Sequence, residues 1–408
     1  MLLQLAIRNI WRNKRRTIIT IAAVAFAVFL ASVMRSFQKG AWDNVINNSV
    51  NLFFGYAQVH KDGFWDEQVL DNAMEWESMF EEIPDKIPSI KAVVPRIESF
   101  ALASAQDLTQ GVMVIGIDPQ KENALTNIAE KISNGKYLTG DDDGAIIAEG
   151  IAKKLKLNLG DTLVLISQGY HGANAAGKFP IRGFFSFPLP DLNKSLVYIS
   201  LIQAQEFYAA ENMISSLVMH IDDANKVSNA TAGLVDLLDQ EKYEVMDYEE
   251  LMPELVQARQ MDEGGGFMII GILYALITFA IFGTILMMTK ERSYEFGVLT
   301  AIGMSRWKLF GVTFMESVMV GLLGVALGLV LAIPLVYYWN VNPINLSFMG
   351  EQATAAFENF GMEPIIPTAF TSSIFLWQAG LIFVITCLLS LYPLFNIMKL
   401  EPVKAMRS

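Results

Sequence analysis

The 408-residue sequence holds one cysteine, Cys387, inside an apolar run, so no intramolecular disulfide framework can form whichever compartment the chain faces. Histidine is nearly as scarce: His60, His171 and His220 stand far apart, without the spacing that metal ligands require. No G-x-S-x-G, H-E-x-x-H or C-x-x-C occurs. Positive charge is missing from one long stretch and outnumbered in another. Residues 339–373 contain no Lys or Arg, and residues 40–262 hold 16 Lys/Arg against 34 Asp/Glu. So acidic a middle argues against nucleic acid as a partner, because phosphate backbones are bound by Lys/Arg stripes.

Two motifs imitate chemistry that the sequence does not complete. Gly172 to Lys178, GANAAGK, has the spacing of a phosphate loop, but Phe179 stands where a Ser/Thr would hold Mg²⁺. Pro180 then leads into IRGFF, which gives no helix whose first amides could take phosphate, so the stretch reads as a glycine-rich hairpin loop. Asp141-Asp142-Asp143 lacks the twelve-residue ligand spacing of a Ca²⁺ loop and reads as a solvated turn. The expectation is a chain with no catalytic centre, no bound cofactor and no metal.

What the sequence has in excess is apolar length. Hydrophobic residues make up 53% of it, and four stretches reach the roughly 20 residues a bilayer helix needs. Lys/Arg cluster before the first stretch (Arg8, Arg12, Lys14, Arg15, Arg16), between the second and third (Lys290, Arg292, Arg306, Lys308) and after the fourth (Lys399, Lys404, Arg407). By the positive-inside bias these flanks are cytoplasmic, as are both chain ends, and residues 40–262 lie outside. The expected organisation is a cytoplasmic interfacial amphipathic helix (1–16), span 1 (17–39), an extracytoplasmic domain with stalk segments (40–263) and span 2 (264–289). A cytoplasmic loop (290–308), span 3 (309–338), an outer loop (339–373), span 4 (374–398) and a cytoplasmic tail (399–408) complete it. The apolar part of span 1 is too long for a cleaved signal peptide and exits through VMRSFQKG without a small-residue cleavage site, which favours an anchor. Leu2, Leu3, Ala6, Ile7, Ile10 and Trp11 share one helical face before it, suited to the membrane interface; the alternative is the first turns of span 1.

The outer domain reads as mixed α/β. In AIIAEGIAKKLKLNLGDTLVLIS (145–167) strand, helix, turn and strand follow one another, and GVMVIGIDP, IRGFFSF and SLVYIS add further strands. DYEELMPELVQARQMDEGGG reads as a helix leading to span 2, interrupted by Gly264, Gly265 and Gly266; the three are a hinge, a loop or a close packing contact. Glu316 stands about two turns inside the third apolar run, where an ionisable group is costly; the favoured reading is structural pairing with Arg306 or Lys308 over proton coupling. Gly321, Gly324 and Gly328 fall on one face of span 3, for an intrachain contact or a dimer seam.

The order of these parts resembles the permease subunits of the MacB/FtsX-like ABC transporter superfamily, with its lipoprotein-releasing LolC/LolE type. The carrying motifs are LAIRNIWRNKRRTIITI at the start, then VMVIGIDP, ISNGKYL, IIAEGIAKKLKLNLGDTLVL and FPIRGFF with SLVYISLIQAQEFY in the outer domain. KERSYEFGVLTAIGMSRWKLFGVTFMES between spans 2 and 3 and YPLFNIMKLEPVKAMRS at the end follow. The resemblance implies an α-helical membrane protein with four spans and a MacB-like periplasmic core domain in the bacterial inner membrane. It implies a non-catalytic subunit whose ATP and Mg²⁺ are handled by a separate LolD-like ABC ATPase. It further implies a second permease copy or homologue, a lipoprotein substrate and a LolA-like periplasmic chaperone. Drug or peptide efflux of the MacB type and FtsX-like control of a cell-wall hydrolase are the alternatives. The loop is implied to dock on the ATPase as a coupling helix, with Glu291 and Glu295 on one face, Arg292 as a planar donor and Gly297 and Gly303 permitting a turn. Val298, Leu299 and Ile302 would supply its apolar contact.

Overall fold

The structure, a computed structural model, describes residues 8, 10, 12, 14–187, 190–346, 350, 365–399 and 401. Most of the expected interfacial helix, the middle of the outer loop (347–349 and 351–364) and nearly all of the tail lie outside the described residues. The chain divides into two compact units, one of residues 1–44, 258–345 and 365–408, the other of residues 45–257 and 346–364.

The first unit is built on four helices long and apolar enough to cross a membrane. Lys14–Ser49 and Arg306–Val341 are 36 residues each and Pro253–Glu291 is 39. At 1.5 Å per residue they reach about 54 to 59 Å, well beyond a hydrocarbon core of about 30 Å. The second helix therefore begins before its apolar run and does not stop at the glycines: Gly264, Gly265 and Gly266 are helical, and the expected interruption is absent. The cost of glycine in a helix, about 1 kcal/mol per residue against alanine, is spread over a 39-residue hydrogen-bond ladder that carries through it. The fourth span is two pieces, Ser372–Leu389 and Tyr392–Met398, broken where Pro393 removes the amide that would bond Leu389. Val24, Ala27 and Val28 of the first helix, Ile281 and Ile285 of the second, Val325 of the third and Ala379 and Ile382 of the fourth form its core.

The second unit carries a ten-stranded mixed sheet. Its strands are β1 (Ala57–Lys61), β2 (Ala92–Ala105), β3 (Leu108–Ile117), β4 (Ile132–Gly135) and β5 (Ala145–Ala148), followed by β6 (Thr162–Gln168), β7 (Asn174–Phe185), β8 (Leu196–Ser200), β9 (Ser216–His220) and β10 (Tyr243–Asp247). The order is β10-β1-β9-β2-β3-β8-β5-β7-β4, with β6 pairing β2 and β7. Most pairs are antiparallel; β3 with β8 and β5 with β7 run parallel. The β2–β3 hairpin turns at Gln106-Asp107 and keeps register from Ala105↔Leu108 to Arg96↔Ile117. The phosphate-loop look-alike belongs to the β6–β7 hairpin, but only its first residues make the turn. From Asn174 onward it is strand, and Lys178 pairs with Val164. Buried Phe179, Ile181, Gly183 and Phe185 alternate with more exposed neighbours as the period-2 rule of a strand requires, so glycine content alone misreads the segment as loop.

Apolar packing in this unit forms two clusters. One gathers Ile115, Ile146, Leu163, Val197 and Tyr198 around β3, β5, β6 and β8. The other joins Val59, Phe80, Leu217 and Tyr243 to Val227, Ala230 and Leu234, which line one face of the helix Val227–Leu237 at i, i+3, i+7 spacing.

Candidate functional site

The segment between the second and third span helices folds into a nine-residue helix, Ser293–Ala301. Arg292 separates it from the second span by leaving helical geometry at φ −89°, ψ 2°. Glu291 thus ends one helix while Glu295 lies in the next, which corrects the expectation of a shared face. Gly303 closes the short helix at φ +104°, a value that favours glycine. The Met304 amide reaches back to Leu299 O at 3.0 Å, and Ser305 then caps the third helix through the Lys308 amide.

A chain of alternating charges fixes this helix. Arg292 Nη1 donates to Glu316 Oε2 at 2.6 Å, with side chains only 8% and 3% exposed. Arg292 Nε also reaches Glu295 Oε2 at 3.4 Å, and Arg12 Nη2 donates to both Glu295 oxygens at 2.6 and 2.7 Å. Glu316 is therefore paired as expected, but with Arg292. Arg306 instead donates to Met398 O at 2.6 Å. Ten residues along one helix span about 15 Å, too far for Arg306 to reach its own helix's Glu316, whereas Arg292 is delivered by the fold of the loop. Beside Glu316, Ser317 and Thr386, with Thr17, Thr20 and Thr284, line a cavity of about 30 Å³.

Apolar contacts hold the helix from below. Phe296, Leu309 and Ile397 are buried together, with Leu299, Met304 and Phe310 against them. Leu299 faces this cluster, so its expected role as an outward contact is corrected. Gly297 is buried and Val298 half-buried. Ile302 is 80% exposed, and Tyr294 and Trp307 are exposed near it in sequence.

A second set of contacts joins the first and second helices beyond the apolar runs. Trp42 Nε1 donates to Asp262 Oδ2 at 2.7 Å, and Gln38 Nε2 donates to Asp262 O at 2.9 Å. Arg35 lies 3.6 Å from Glu263 and donates to Gln38 Oε1 at 2.7 Å. Gly266 sits directly on Gln38, where a Cβ would come within 2.2 Å of the amide, whereas Gly264 and Gly265 face open space. None of the pairs between the two helices was legible in the sequence, since their partners lie more than 200 residues apart.

Residues 17–237 match the MacB-like periplasmic core domain and residues 267–402 match the FtsX-like permease C-terminal family. The chain belongs to the MacB/FtsX-like ABC transporter permease family. It is 22% identical over 341 residues to the lipoprotein-releasing system transmembrane protein LolC of Neisseria meningitidis serogroup B, spanning 80% of this chain and 78% of that one. It is 26% identical over 215 residues to the uncharacterized ABC transporter permease YclI of Bacillus subtilis, covering 48% of this chain and 43% of that one. Among solved structures it is similar to the periplasmic region of MacB from Actinobacillus actinomycetemcomitans, at 15% identity and TM-score 0.36, covering 54% of this chain and 96% of that one.

In the permease, the glycines of the third span make intrachain contacts rather than one seam. A Cβ on Gly324 or Gly328 would meet Val24 or Val28 of the first span at 2.6 and 2.7 Å, and one on Gly321 would meet Thr386 of the fourth at 2.7 Å. The sequence placed them on one face; along that face the third span meets the fourth at Gly321 and the first at Gly324 and Gly328.

Proposed function

We propose that this permease is the non-catalytic membrane subunit of an ATP-driven, lipoprotein-releasing transporter of the bacterial inner membrane. A separate ABC ATPase, LolD-like in kind, docks from the cytoplasm on Ser293–Gly303 and handles ATP and Mg²⁺. The observation that carries the reading is the Arg292–Glu316 pair, which ties the short helix to a membrane helix through a buried, charge-assisted bond. A push on Tyr294, Ile302 or Trp307 then moves the third span rather than a slack loop. The Lys/Arg flanks support a cytoplasmic position for this helix and for both chain ends.

The cargo class rests on the LolC relative that spans four fifths of this chain. Extraction of a lipid-anchored protein must overcome about 0.8 kcal/mol per buried CH₂, so external energy is a physical requirement. The second span presents a largely uncovered apolar face, with Met268, Ile272, Leu276 and Phe279 all exposed. Such a face fits an acyl chain or a second permease copy, identical or homologous, across which the lipid enters. A LolA-like chaperone receives the product outside.

Two measurements test this. Ile302→Glu leaves the packed side of the short helix intact and is expected to abolish copurification of the ATPase without lowering the amount of chain in the membrane. Depletion of the chain is expected to retain lipoproteins in the inner membrane. Unchanged lipoprotein sorting with raised drug sensitivity, or with chained cells, would replace the cargo reading by efflux or by hydrolase control.

A further inference from the structure

The sheet domain contains a cavity of about 300 Å³ walled by Phe53, Phe54, Phe64 and Trp65, with Gln58 and Glu98 among its polar lining. Gln58 is 1% exposed; its Nε2 donates to Phe54 O at 2.7 Å, while its Oε1 is buried without a hydrogen-bond partner. A carbonyl left so costs free energy unless something donates to it.

The charges behind the cavity do not balance. Arg96 is fully buried, and its Nε and Nη2 both donate to Glu122, at 2.9 and 2.8 Å. Its Nη1 is used chiefly by Phe53 O at 2.8 Å, so Glu98 receives only a 3.4 Å contact from it and one hydroxyl, Ser216 Oγ, at 3.1 Å. One guanidinium thus faces two carboxylates, and the surplus negative charge sits on the one that borders the cavity. Burial pushes the Glu98 carboxyl above its ordinary range, as an under-compensated acid requires.

We propose that this cavity binds a small organic cation, an ammonium carried on an aromatic or branched apolar body. Its charge balances Glu98, its N–H groups supply the donor that Gln58 Oε1 lacks, and the ring faces attract it through their quadrupoles. An anion would meet the surplus carboxylate, with Arg96 already committed. A neutral hydrocarbon would bury Gln58 Oε1 and Glu98 without partners, which is costly.

The test is calorimetric titration of the full-length chain in detergent with phenethylammonium, its neutral counterpart 2-phenylethanol and the anion 3-phenylpropionate. The cation is expected to bind at least about tenfold more tightly than the alcohol, a difference of about 1.4 kcal/mol, and the anion not at all. Glu98→Gln should remove that preference, and Gln58→Leu should weaken the cation severalfold while near-UV circular dichroism stays native. Gln58→Leu serves alone if Glu98→Gln does not fold. Equal binding of cation and alcohol, a preference undiminished in whichever variant folds, or no binding by a natively folded chain would overturn the proposal.

Discussion

At the scale of single residues, the Arg292–Glu316 pair is the most consequential contact in the membrane unit. Removing one partner of a buried pair leaves the other uncompensated, which typically costs about 3–5 kcal/mol, while replacing both by apolar groups of similar size is often neutral. Glu316→Gln and Arg292→Met are each expected to lower the thermal midpoint of the purified chain strongly, and the double variant Arg292→Met/Glu316→Leu to recover most of it. A double variant that is stable but uncoupled from ATP hydrolysis would assign the pair to transmission. His60 gives a residue-scale prediction for the sheet domain. Its ring stacks on Phe64 at 5.4 Å and its Nδ1 lies 3.2 Å from Ser215 O, and burial lowers its pKa to about 4. The unfolded chain takes up a proton near pH 6.5 and the folded one does not, so its neutral state favours folding above pH 6.5 and that advantage is lost as pH falls towards 4. The loss amounts to something on the order of 3 kcal/mol. Denaturant titrations at pH 7 and pH 4.5 should show a steeper decline for the natural chain than for His60→Gln. The sequence announced Glu316 as an acid in need of a partner because apolar surroundings make such a group conspicuous. It could not name the partner, because that depends on where a turn at Arg292 delivers a guanidinium.

At the scale of elements, apolar runs and strand patterns were legible because hydrophobic periodicity is a local property. The helix ends were less so. The first helix runs on to Ser49 in polar sequence that a hydropathy reading assigns to the stalk, and the third reaches three residues past its apolar run at either end. The glycines separate two cases that composition cannot. Gly264 and Gly265 face open space in a continuous helix, so alanine at either should stabilise by up to about 1 kcal/mol and leave activity unchanged. Gly266→Leu should break the Gln38–Asp262 bonds and loosen the first helix from the second. Gly324→Leu and Gly328→Leu should be worse still, each forcing the third span off the first at a cost of about 1–3 kcal/mol or more. Thermal unfolding in detergent ranks the five variants. A destabilised Gly265→Ala would contradict the continuous helix.

For the whole molecule, family membership and architecture explain why one chain devotes 53% of its residues to apolar side chains and still places 34 carboxylates between its first two spans. Those two numbers made a membrane protein with an acidic outer domain legible from composition. The α/β character of that domain followed from strand patterns, but the ten-strand order did not, since it depends on pairings such as β1 with β9 that join the ends of the domain. The central claim is that the short helix after the second span is where an external ATPase acts. A photocrosslinking residue in place of Ile302, activated in native membranes, tests this most directly. The account predicts a covalent product with an ABC ATPase, identified by mass spectrometry and lost when that ATPase is depleted. Products formed only with proteins from the outer face of the membrane would contradict it.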